Sequence, residues 1–256
     1  MKIQAFVCTW VGHEQQALAL EETLRPLVEV QVINSEAAVA ARHPTWHPTA
    51  DYFTNHWNKA LDLFDADILF LIQADASCPQ FDGLLQRCRW AIEQMGCGVY
   101  APNVDYNPWV FDRARLRPVA DDLFEVPQTD CICWAVSRDV LEAMPRIDPG
   151  VNQFGWGIDW LVLAVARKLG KQTVRDYRYT VTHPRGTGYN RWRAEWQMRA
   201  MLRRLPAELR SDVRVLQEEV LGGPPPPLYG VLLWFVWDAL RRTGQRLVGK
   251  MLRRPT

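Results

Sequence analysis

Asp67-Ile68-Leu69-Phe70-Leu71-Ile72 runs directly into Gln73-Ala74-Asp75-Ala76-Ser77. The first six residues are almost continuously apolar and too few for a typical helix. A strand buried on both faces has this pattern, as in the centre of a parallel sheet. Toward the N-terminus, Ile3–Thr9 reads as a second buried strand and Glu14–Leu24 as a helix ended by Pro26. Residues 28–33 alternate, are rich in Val and Ile, and close on Asn34-Ser35, so they read as a further strand. Residues 37–50 hold two His-Pro steps and read as a loop. Phe53, Trp57, Ala60, Leu61 and Phe64 fall at helical spacing, which predicts a helix over 51–64. On the other side, 81–95 reads as a helix stopped by Gly96, and 99–101 opens the next strand. Strand and helix therefore alternate, which predicts an α/β fold with a doubly wound, mostly parallel central sheet flanked by helices.

The second half is read more coarsely. A polar, proline-bearing stretch (103–122) precedes a strand at 131–136 and a short helix at 138–144. The glycine-rich turn Phe154-Gly155-Trp156-Gly157 opens a helix at 158–169, which Gly170 stops. Two short strands are expected near Thr173 and over 179–182, then a basic helix over 191–205. Gly222-Gly223 followed by four prolines is the clearest linker. The expected organisation is one domain over 1–221, a linker over 222–227 and a basic amphipathic helical tail over 228–256.

Bulk properties narrow the function. The length of 256 residues suits one α/β domain with a small appendage. A formal charge of +1 gives no global signature of nucleic-acid binding. Arg191, Arg193, Arg199, Arg203 and Arg204 with Trp192 and Trp196 read as a solvated basic face beside an acidic lipid or a diphosphate, not as a nucleic-acid site. Six cysteines without a C-x-x-C pair read as reduced, mostly buried thiols, with Cys131 and Cys133 on one face of their strand. No signal-peptide pattern and no spanning apolar run occur, so a cytoplasmic location is expected. In the tail, Leu233, Val236, Trp237, Leu240, Leu247, Val248 and Met251 form an apolar stripe apart from Arg242, Arg246, Lys250 and Arg253. That pattern suits a helix lying in a membrane surface, on the inner face; packing on its own domain or a second subunit is the alternative.

In open α/β sheets ligands bind beyond the carboxyl ends of the strands. Asp75 stands there, either as a turn cap or as an oxygen ligand for a hard divalent cation. Asp159, at a helix start, is either a carboxylate favoured by the helix dipole or a general base, with Trp156 as a platform for a sugar face. Thr182-His183-Pro184-Arg185-Gly186-Thr187-Gly188 offers an imidazole for a metal and a guanidinium and backbone for a diphosphate.

Together these segments resemble the GT-A glycosyltransferases, especially glycosyltransferase family 2. The matching residues are Gln73-Ala74-Asp75, Thr129-Asp130-Cys131-Ile132-Cys133-Trp134, Phe154-Gly155-Trp156-Gly157-Ile158-Asp159 and Thr182-His183, in the family's order over roughly residues 1–200. The resemblance implies sugar transfer from a UDP- or GDP-linked donor to a glycan or lipid-linked acceptor, inverting and assisted by Mn2+ or Mg2+. It implies Asp159 as base, and Asp75 with His183 at the metal. It implies Thr9, Trp10, Asn34, Glu36, Asn58, Gln73, Ala74 and Arg185 at the nucleotide-sugar, and Asp130, Trp156 and Gly157 at the acceptor. Gln73 stands where the family's first metal-site acid is expected. A sugar nucleotidyltransferase and an inactive GT-A-like glycan-binding or scaffold protein are the rival readings. His43 and His47 are spaced i, i+4, but Pro44 and Pro48 argue against a helical metal face.

Overall fold

The computed structural model describes residues 1–106, 109–184 and 188–225. The chain runs through β1 (Ile3–Thr9), α1 (Glu14–Leu24), β2 (Glu29–Asn34), α2 (Ala37–Ala40), β3 (Trp46–Pro48), α3 (Phe53–Leu63) and β4 (Ile68–Gln73). It continues through α4 (Phe81–Glu93), β5 (Val99–Val104), β6 (Pro118–Ala120), β7 (Leu123–Glu125), β8 (Cys133–Ser137), α5 (Arg138–Glu142), α6 (Ile158–Lys168), β9 (Thr173–Val181), α7 (Arg191–Arg204) and α8 (Ala207–Leu221).

The described strands form one sheet in the order β3-β2-β1-β4-β8-β5-β9-β7-β6. β4 is central and buried from Ile68 to Ile72, and its alternate side chains explain why. Ile68, Phe70 and Ile72 join the core beneath α1 and α4, whereas Leu69 and Leu71 join the core beneath α3 and α6. A strand with helices on both faces has no solvated side, so the sequence shows an apolar run instead of alternation. β1 pairs in parallel with β2 on one side and β4 on the other. The connections reverse direction there, and the crevice beyond Thr9 and Gln73 is the topological switch point.

The parallel run β2-β1-β4 is as expected; β3 adds an unexpected parallel edge strand, and on the other side the sheet is mixed. β8 lies antiparallel between β4 and β5, and β7 antiparallel to β9. Four differences from the sequence reading have physical causes. The 37–50 loop contains α2 and the edge strand β3, which pairs with only three residues of β2. Residues 173–181 form one strand, whose register slips between Pro102 and Asn103 of its partner β5; the slip disguised it as two. Cys133 begins β8 and sits in the core beneath α4, while Cys131 precedes the strand and packs with the opposite core. α8 was not anticipated; it lays Leu209, Val213 and Leu216 on the α6 side of the sheet and ends on Gly222 at φ 69. The amphipathic tail lies outside the described residues. Among those described, no helix is long and apolar enough to cross a membrane.

Candidate active site

One cleft of about 1860 Å³ opens at the switch point. Its first wall is the carboxyl end of β4. Ala74 N–H donates to Cys8 O and Gln73 N–H to Ile132 O, so the turn that bears Asp75 is tied to both neighbouring strands. An isolated antiparallel bridge joins Ser77 to Thr182 through two 2.9 Å hydrogen bonds. This bridge sets His183 beside Asp75, with Nε2 3.3 Å from Asp75 Oδ1. His183 is further fixed by its own N–H, which donates to Asp105 Oδ1 at 3.0 Å.

The residues fit a divalent cation in part. His183 Nδ1 and Asp130 Oδ2 are buried without a hydrogen-bond partner, and Asp75 Oδ1 is buried with only the 3.3 Å approach of His183 Nε2 beside it. Orphaned buried acceptors of this kind are costly unless a ligand satisfies them. Among the described residues no three His, Cys, Asp or Glu side chains cluster for a metal. A cation at Asp75 and His183 would therefore complete its shell with phosphate oxygens and water, as Mg2+ commonly does at nucleotide sites. Gln73 lines the same wall and contributes an uncharged amide.

The second wall is the turn before α6. Gly155 and Gly157 hold φ at 78° and 89°, a conformation that side-chain-bearing residues rarely adopt. A Cβ on Gly155 would fall 2.5 Å from Phe53, and one on Gly157 2.7 Å from Met198. Trp156, between them, is half-buried and donates from Nε1 to Tyr189 Oη at 2.7 Å. Tyr189 in turn stacks on Phe154, with centroids 4.7 Å apart. An aromatic wall so braced presents a rigid face for a sugar ring.

Asp159 lies just past this turn, on the cleft. Its Oδ2 accepts from Gln128 Nε2 at 3.0 Å. Gln128 is fully buried and fixed at its other end: Oε1 accepts from Thr129 N–H, and its carbonyl accepts from Arg175 Nη2. Burial pushes the Asp159 carboxyl up to about 7, and the negative charge of Asp130 adds to the rise against the Trp160 amide. Burial likewise lifts Asp130 to about 6, opposed by the Ile132 amide, Arg175 and His183. Asp159 thus titrates near neutrality, where a general base is most effective.

The other expected site residues divide clearly. Trp10, Gln73, Asp75, Asp130, Trp156, Gly157, Asp159 and His183 line one cleft. Thr9, Asn34, Glu36, Asn58 and Ala74 do not line it. Thr9 is buried in β1 with its hydroxyl on His13 O, and Asn34 Oδ1 caps the N–H of Glu36. Asn58 points to the 147 loop, donating to Ile147 O at 2.7 Å. Ala74 is a buried spacer whose contribution is its backbone. Arg185 lies outside the described residues. His43 and His47 bond Glu14 and Gln31, which gives each a structural partner. Of the tryptophans, Trp134 packs on Trp57 in the core, and Trp109 meets Trp160 edge-on at the cleft. Gln128, Arg175 and Tyr189 escaped the sequence reading. Each acts through a partner more than thirty residues away in sequence, so no local pattern signals them.

No protein-family model and no curated protein sequence matches the chain. Solved structures do. The mannosyltransferase PcManGT of Pyrobaculum calidifontis, in complex with GDP-Man and Mn2+, superposes with a TM-score of 0.51 at 15% identity, covering 93% of this chain and 80% of that one. S. aureus TarS (residues 1–349), in complex with UDP-GlcNAc, gives 0.55 at 13% identity over 86% and 72% of the two chains. GalNAc-T7 with UDP, GalNAc and Mn2+ gives 0.53 at 11% identity over 72% of this chain and 44% of its own. These likenesses show that the chain has the GT-A fold of nucleotide-sugar glycosyltransferases.

Proposed function

We propose that this protein transfers a sugar from a nucleotide-sugar to an acceptor hydroxyl, with inversion at the anomeric carbon. One observation carries the reading: Asp75 with His183, and Asp159 raised to about 7, face a single cleft at the switch point of a GT-A fold. Asp159 accepts the proton of the acceptor hydroxyl, and that oxygen displaces the nucleoside diphosphate from the opposite face of the sugar. Gln128 holds the carboxylate in place and, as a donor, favours its ionised form. Trp156 and Gly157 support the acceptor sugar, and Trp10 flanks the donor. Asp75 and His183 would hold a divalent cation, which would supply positive charge for the departing diphosphate. Burial of Gln128 and Asp130 at the floor strengthens the electrostatic interactions there.

The test is a thermal-shift panel of UDP- and GDP-sugars with Mn2+ and with EDTA, followed by assay of donor hydrolysis. A ligand that binds only the native state raises its melting temperature by mass action. A metal-dependent shift with turnover supports the proposal; no shift with any nucleotide-sugar removes it. Gln73 in place of a second acid favours a rival, a GT-A-like protein that binds glycans without turnover. That rival predicts a shift with glycans and none with donors.

A further inference from the structure

Arg175 stands within β9, opposite Ala101 of β5 and Phe124 of β7, and is 2% exposed. Its neighbour Asp176 is buried as well. Alternation along the strand turns that acid to the other face, where it bonds Arg87 and Tyr100. Among the described residues Arg175 meets backbone carbonyls and no carboxylate. Nη1 donates to Trp109 O at 2.7 Å and Nη2 to Gln128 O at 2.9 Å. The guanidinium also lies over the Phe111 ring, 5.3 Å from its centroid, and Nε is buried without a partner. A buried cation without a paired acid is costly, and a neutral side chain of similar volume would fill the same space at less cost. The charge therefore calls for a reason beyond packing.

The two carbonyls belong to separate segments, and both segments serve the Asp159 end of the cleft. Gln128 is the residue whose Nε2 holds Asp159 Oδ2. Trp109 lines the cleft and meets Trp160, the residue after Asp159, edge-on at 5.2 Å. Residues 109–111 lie in no helix or strand, so no ladder fixes them. Val110 is 87% exposed, while Arg175 draws in the carbonyl before it and the ring after it. A guanidinium presents its donors in a rigid plane and reaches both segments at once. An ammonium lacks that fork, and an amide side chain offers fewer donors. The positive charge has a second effect: it opposes the rise that burial imposes on Asp130 beside the base.

We infer that Arg175 is a positioning residue for the transfer reaction, a buried clamp that fixes Trp109 and the holder of Asp159 at a set spacing across the cleft. What the clamp positions rests on the glycosyl-transfer reading above. The clamp itself is a property of the free protein, so the two can fail separately.

Hydrogen exchange over 109–112 and 126–131 is measured on the full chain without ligand. Arg175→Ala should speed exchange in both segments on the order of fivefold or more, as loss of one net hydrogen bond does, and leave β2 unchanged. Guanidinium chloride at millimolar, non-denaturing concentration should restore both segments, and sodium chloride should restore neither. Arg175→Lys keeps the charge without the fork and should restore no more than one. Melting curves establish that each variant is folded; where Arg175→Ala does not fold, Arg175→Lys against wild type carries the comparison. Unchanged exchange in both segments of a folded variant overturns the clamp. So does exchange raised evenly through the chain, β2 included, with no response to guanidinium, because Arg175 is then a core filler. In donor hydrolysis, Arg175→Lys should lower kcat on the order of tenfold or more, as misplacement of a reacting group does, with the donor-induced melting shift retained. Full kcat in a folded Arg175→Lys with loosened segments overturns the positioning role while the transfer reading stands. Loosening that guanidinium reverses, in a protein that turns over no donor, supports the clamp while the transfer reading fails.

Discussion

The two ends of the cleft are built by opposite means. The Asp75 end is made by backbone: a strand end, a tight turn and the Ser77–Thr182 bridge that brings His183 within 3.3 Å. The Asp159 end is made by side chains drawn from distant segments, namely Gln128, Tyr189, Met198 and, through Gln128, Arg175. The first end leaves buried polar atoms open for a ligand; the second satisfies its carboxylate and tunes its proton affinity. The difference suits a division in which one end must admit a charged group and the other must hold a proton acceptor still.

The largest effect is expected from removing the base. Asp159→Asn should lower kcat by about a hundred- to ten-thousand-fold while donor affinity, measured by melting-temperature shift, is retained. Near-normal turnover would erase the functional distinction between the two ends. Asp75→Ala should do the reverse. It should weaken Mn2+-dependent donor binding on the order of tenfold or more, as loss of a charged oxygen ligand does, and leave metal-free stability nearly unchanged.

Gly157→Ala tests the scaffold of the second end alone. A residue forced to φ 89 against Met198 should lose about 1–3 kcal/mol of stability, read by chemical denaturation. No comparable backbone strain guards Asp75, so Ser77→Ala, at an exposed side chain whose bonds to Thr182 are all backbone, should be nearly silent.

The smallest effects sharpen the proton argument. kcat/KM should climb with pH and level off above about 7, the pH at which Asp159 ionises. Gln128→Leu should move that rise to higher pH, because the lost N–H favours the carboxylate; an unmoved midpoint would leave Gln128 merely structural. The sign for stability follows from linkage. A folded-state value above the unfolded one means that Asp159 costs stability as pH rises through about 7, and costs nothing below the unfolded carboxylate range. Asp159→Asn should therefore melt above wild type at pH 8, with the gain shrinking toward pH 4.

Several features were legible in the residues alone. β4 announced itself because a doubly covered strand must be apolar throughout, and Gly155-Trp156-Gly157 because two left-handed positions admit little else. His183 was legible in its own segment as a strand-end imidazole, and as the partner of Asp75 only through the family resemblance; physically its place beside Asp75 depends on a bridge between segments more than a hundred residues apart. Asn58 shows the limit in the other direction. It sits on a helix near the switch point, yet its amide serves the 147 loop.

By itself the sequence determined the alternation of strand and helix and the chemical character of its loops, since local periodicity and backbone preference are properties of neighbouring residues. It thereby determined which strand ends could bear a site. Only the tertiary structure decided that Gln128 holds Asp159, that Tyr189 braces Trp156 and that α8 packs on α6. Those relations depend on distances closed through the packed core, which no span of neighbouring residues encodes.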